Sequence, residues 1–148
     1  MPKGGNRKDG VSPELDELSS TLVGEALDVL AEGGALDVLL VVQDQAGTVA
    51  SYAFSEDGIE ACLKGAHDKV VSLGRRGGPN ERQVVRYALA YEGAVADEVG
   101  AYRDALICEF GERGYKSYSA FSLFEGRGRG DQFTWSDPAP AGELHPLL

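Results

Sequence analysis

Disulfide chemistry, imidazole chemistry and membrane insertion all lack raw material in this sequence. Its 148 residues hold two cysteines and two histidines. Cys62 and Cys108 both stand in apolar runs, where a thiol is usually a small buried hydrophobe. The first ten residues lack the apolar stretch of a secretory signal. Together these point to a reducing compartment, and the expected location is cytoplasmic. His67 and His145 are far apart, with no cluster of Cys, Asp or Glu at ligand spacing around them, so no metal and no cofactor are expected. Cys62 and His67 are five residues apart on an expected helix and diverge, which argues against a nucleophile–base pair. The longest strongly apolar run, 38–42, is far short of the roughly 20 residues of a membrane span.

Positive charge is also scarce. Fourteen Lys and Arg face 24 Asp and Glu, a formal net charge of −10. That balance disfavours general binding to nucleic acid and to anionic membrane. The acidic residues are scattered, as on a solvated surface.

What is present suits one folded unit. Apolar residues make up 43% and charged residues 26%, an ordinary globular mixture that can build a core. Residues 1–11 read as a flexible, Gly-rich lead-in, 12–136 as a single domain and 137–148 as a Pro-rich tail. Ser12-Pro13-Glu14 has the signature of a helix start: a capping hydroxyl, a proline at the first helical position and an acid at the positive helix end. Leu15, Leu18, Leu22, Ala26, Val29 and Leu30 then recur at helical spacing until Gly33-Gly34. The dense run 35–42 predicts a strand buried on both faces, and 48–54 a second strand closing a hairpin. Asp57 and Glu60 have capping-box spacing before a second helix striped by Ile59, Leu63, Ala66, Val70 and Leu73. After the loop Arg75-Arg76-Gly77-Gly78-Pro79-Asn80, three long strands at 84–95, 101–110 and 115–124 form a meander. A Gly/Arg loop, 126–130, leads to a short strand at 133–136.

The expected fold is therefore α+β: an antiparallel sheet of five to six strands with two helices packed on one face, in the order α-β-β-α-β-β-β-(β). In element order alone, this is similar to profilin-like and Roadblock-like small domains, which bind partners or ligands. Pairing Ala96 with Ala101 sets Tyr91 opposite Leu106, Leu89 opposite Cys108 and Tyr87 opposite Phe110, giving an aromatic face for the helices. Pairing Gly111 with Gly114 sets Glu109 opposite Lys116. The other face would carry Ala88, Ala90, Ala105, Ile107, Tyr118 and Ala120, with few charges and many small residues.

Two functional readings follow. The leading one is a non-enzymatic interaction or regulatory domain that acts as a homodimer through that alanine-rich face, with a protein partner allowed. The alternative is a small-molecule-binding protein or enzyme with a site near Tyr102, Asp104 and Phe121. There a carboxylate on an aromatic face, beside a tyrosine, has the makings of an acid/base pair. The loop 126–130 has no P-loop lysine and opens no helix, so it is a poor phosphate cradle.

Overall fold

The computed structural model describes residues 7–55, 58–76 and 82–148. Asp57 of the expected capping box, the loop residues 77–80 and the first six residues of the lead-in lie outside them. The elements are α1 (Pro13–Ala31), β1 (Val38–Asp44), β2 (Val49–Phe54), α2 (Ile59–Arg76), β3 (Val84–Ala96), β4 (Tyr102–Glu112), β5 (Ser117–Glu125), β6 (Thr134–Trp135) and β7 (Ala139–Leu144). All strand pairs are antiparallel, in the order β2-β1-β3-β4-β5-β6, with β7 also on β5. The class and the order up to β6 are those read from the sequence; β7, within the expected tail, makes a seventh strand where five to six were expected.

The helices do not share a face. α1 packs Leu15, Leu22, Ala26 and Leu30 against Val41, Ala88, Ala90 and Leu106. α2 packs Cys62, Ala66 and Val70 against Leu40, Val42, Tyr87 and Leu89. Because successive strand residues point to opposite sides, these two sets lie on opposite faces of β1 and β3. The reason is already in β1, whose Val38, Leu40, Val41 and Val42 are all buried. A strand apolar on both sides needs a layer on each. Each fully buried leucine among these contributes about 1.5–3 kcal/mol.

The meander registers also differ from expectation. Ala96 pairs with Tyr102, not Ala101, so Tyr91 faces Ile107, Leu89 faces Glu109 and Ala88 faces Phe110. The turn explains the shift. Asp97 N–H donates to Ala101 O at 2.8 Å, which leaves a three-residue loop, Glu98-Val99-Gly100, with Gly100 at φ 84°. Three-residue hairpins commonly place glycine there. A slip of one residue turns the whole of β4 over. At the other end Gly111 does not meet Gly114; Phe110 pairs with Tyr118 and Glu109 with Ser119. Tyr115 and Lys116 are drawn off β4 by the lead-in: Lys8 N–H donates to Gly114 O and Lys116 N–H to Lys8 O. Lys116 then pairs with Asp9 and Glu143 instead of Glu109.

The tail joins the sheet. β7 lies along β5 with a bulge between Ser119 and Ala120, opposite Pro140. Proline is tolerated on such an edge because no further strand needs its missing N–H. Beyond it, Leu147 and Leu148 pack on the α2-side cluster. The Gly/Arg loop closes the far end of α1: Gly128 N–H donates to Leu30 O at 3.0 Å. A Cβ on Gly33 would stand 3.1 Å from Gly128 Cα, so the two backbones touch.

Gly128 has φ 75°, and a side chain there would press on Gly33. We expect Gly128→Ala to lower stability by about 1–3 kcal/mol in urea melts. Gly24→Ala, mid-helix with open space around it, should raise it by about 0.5–1 kcal/mol. Equal effects at both sites would show that the Gly33–Gly128 contact does not hold the end of α1.

Candidate functional site

The residues proposed from the sequence do not form one surface. Tyr102 is 77% exposed and Asp104 is exposed. They share the α1 side of β4, whereas Phe121 pairs with Ile107 on the α2 side. Ala88 and Ala90 are fully buried beneath α1. Tyr118 and Ala120 lie on that same side, along an apolar recess with Val11, Phe110, Pro138 and Ala139. Ala105 and Ile107 point the other way, towards Phe121 and Leu123. The turned-over β4 is the cause, since both sets were assembled on the other register.

A polar cluster that the sequence did not signal sits under α2. His67 Nε2 meets Glu109 Oε1 at 2.8 Å, and Tyr91 OH donates to Glu109 Oε2 at 2.6 Å. Three elements supply it: α2, β4 and β3. Glu109 is buried, while His67 is half-buried. Burial alone would push the Glu109 carboxyl up, but the His67 and Tyr91 hydrogen bonds outweigh it and hold the group below its ordinary value. The same hydrogen bond to Glu109 holds His67 above its ordinary value, against the effect of burial. Burial, then Glu109, raises the Tyr91 hydroxyl. Burial pushes the neighbouring Cys108 thiol up to about 12, so it is a poor nucleophile. The cluster ties α2 to β4 and β3. Among the described residues no group of three or more His, Cys, Asp or Glu is placed to hold a metal, and no helix is long and apolar enough to cross a membrane.

The sheet has two lateral edges, and they differ. The β7 edge carries Pro138, Pro140, a glycine at φ 139° (Gly142) and a bulge in its pairing. Those features discourage a further strand. The β2 edge, Val-Ala-Ser-Tyr-Ala-Phe, has no charge, no proline and no bulge. Among the described residues, β2 pairs only with β1. Asp44 N–H donates to Thr48 O, so hydrogen-bonded pairs recur every second residue at Ala50, Tyr52 and Phe54. The N–H and C=O groups of Val49, Ser51 and Ala53 therefore point outward.

A groove runs beside that edge on the α1 side. α1 lies chiefly over β3 and β4 and reaches β1 only in part, so it leaves the α1 side of β2 uncovered beyond Val41. The opening, about 300 Å³, has a floor of Val41, Gln43, Val49 and Ser51. Its wall is the α1 stripe Glu14, Glu17, Leu18, Thr21, Leu22 and Glu25. Val49 is 49% exposed in it. Glu14, Glu17 and Glu25 make no ion pair among the described residues. By contrast, Glu112 on that face is engaged: it takes Arg86 at 3.0 Å and the Ser12 hydroxyl, which also caps α1. No family model matches the chain, and neither a curated protein nor a solved structure does.

The His67–Glu109 pair makes stability depend on pH in a defined window. A raised His67 value means that its contribution is full below the ordinary 6.5 and is lost as pH rises through the folded value. A lowered Glu109 value means that its contribution is present above the ordinary 4.5 and is lost as pH falls through the folded value. The melting temperature of the wild type minus that of His67→Ala should be greatest between 4.5 and 6.5. It should shrink at alkaline pH. A difference that does not vary from acid to alkali would mean the pair adds nothing electrostatic.

Proposed function

We propose that the chain is a non-catalytic interaction domain whose working surface is the β2 edge, where it receives an extended segment by strand addition. The carrying observation is the row of outward N–H and C=O groups at Val49, Ser51 and Ala53 on a strand with no charge, proline or bulge of its own. The flanking groove gives alternate side chains of an added strand a place to sit. Scattered Tyr102, Asp104 and Phe121 give little support to the enzyme reading. A cytoplasmic setting belongs to the same proposal, with Cys62 and Cys108 both serving as buried core residues.

The test is selection of a random peptide library on the immobilised protein. Ser51→Pro removes one outward N–H without removing a bond to β1. Wild type should enrich peptides of alternating pattern, and Ser51→Pro should not. Equal enrichment on both proteins would end the strand-addition reading.

A second reading keeps the homodimer but moves it. α2 lies over β1, β2 and β3, so Ile107, Phe121 and Leu123 remain half-buried on the outer part of that face. A second copy stacked there by two-fold symmetry would complete their burial. Light scattering should then give twice the chain mass at micromolar concentration, and Phe121→Arg should halve it with an unchanged melting curve. A monomer at every concentration would remove this reading and leave the first intact.

A further inference from the structure

We propose that the segment received by the β2 edge is basic: an extended stretch of another protein in which lysine or arginine alternates with apolar residues. This rests on the strand-addition reading above and adds the chemistry of the partner. An added strand lies beside Val49, Ser51 and Ala53 and sends every second side chain to the α1 side. There it meets the groove wall of Glu14, Glu17 and Glu25, three exposed carboxylates that make no ion pair among the described residues. Helical spacing sets Glu14, Glu17, Thr21 and Glu25 along one stripe, parallel to the groove. A long flexible cation on the incoming strand bridges the gap between strand and helix, with its methylene stem on Val49 and Leu18. The remaining side chains fall on the α2 side, beside Ala50, Tyr52 and Phe54. That surface is apolar apart from the Lys69 ammonium, which lies 4.8 Å over the Tyr52 ring and repels a cation, so the pattern expected of the partner is positive charge on the α1 face and hydrocarbon on the other.

The obvious competing occupant is a second copy of this chain, pairing β2 with β2. It fits poorly. On the α1 side its β2 offers only Val49, Ser51 and Ala53, none of them a cation. A two-fold axis normal to the sheet also keeps both α1 helices on one face, so the glutamates of both copies stay unanswered. Two molecules of net charge −10 repel as they approach, whereas a basic segment is drawn in.

The experiment uses the full chain and three fluorescein-labelled peptides of about eight residues, the length of a common strand: alternating Lys-Val, Gln-Val and Glu-Val. Anisotropy gives affinity, and amide exchange reports protection at Val49, Ser51 and Ala53. The Lys-Val peptide should bind about tenfold or more tighter than Gln-Val, and that advantage should fade between about 50 mM and 300 mM salt. Glu-Val should not bind. Glu17→Gln combined with Glu25→Gln should cut the Lys-Val advantage, and Ser51→Pro should abolish binding of both peptides. Equal affinity for Lys-Val and Gln-Val, with the three amides protected, would overturn the basic preference and leave strand addition standing. Lys-Val binding that leaves those amides unprotected, or that survives Ser51→Pro, would overturn both readings. So would the absence of binding by all three peptides. A doubled mass with protected amides and no peptide added would show that the second copy is the occupant.

Discussion

Leu40–Val42 of β1 and Tyr87–Ala90 of β3 lie side by side at the centre of the sheet, and every one of these residues is buried. This two-sided burial governs the arrangement of everything else. It demands one helix above and one below, so each helix can reach only part of the sheet. α1 takes the β3–β4 side and α2 the β1–β3 side. The strips left over are the ones where chemistry is open to solvent: the groove by β2 on one face and the Ile107–Phe121 strip on the other. Exposed surface here is the remainder of a covering problem with two helices and two faces.

Much of this was legible in the sequence. Ser12-Pro13-Glu14 starts α1, and the helical recurrence of Leu15, Leu18, Leu22 and Leu30 marks the stripe that is buried. The run 38–42 announced a strand buried on both faces, and β1 is one. That reading already contradicted two helices on one face, because it left Val41, Ala88 and Ala90 without a cover. Local pattern fixes elements well; deciding between layers needs the patterns of separate elements to be weighed against each other.

Register was the weaker link, and with it the site. Asp97 through Ala101 closes as a three-residue loop because the Asp97 carboxylate accepts the N–H groups of Val99 and Ala101, both at 3.0 Å. A four-residue loop reads almost as well from the letters, yet the two choices put Glu109 on opposite faces. The Lys8–Tyr115 bridge was out of reach of any local rule, since its partners are separated by most of the chain. The Glu109–His67–Tyr91 cluster was missed for the same reason: His67 has no chemically telling neighbour in sequence, and its partners arrive from β3 and β4. The acidic stripe Glu14, Glu17, Glu25 was visible as spacing, but nothing in the letters says that α1 stops short of β2 or that β2 is an edge.

The two edges of the sheet set a limit on what the molecule can build. β7, with Pro138 just before it, Pro140 within it and a bulged pairing, ends the sheet on one side. On the other side β2 pairs only with β1 among the described residues, and it is the edge proposed to receive a strand. A unit with two receptive edges adds neighbours without end and grows into a filament. One with a single receptive edge has a valence of one: once that edge is occupied, growth stops. Prolines more than eighty residues from β2 thereby keep its stickiness from becoming polymerisation, and they fix the size of any complex assembled by strand pairing at one added strand.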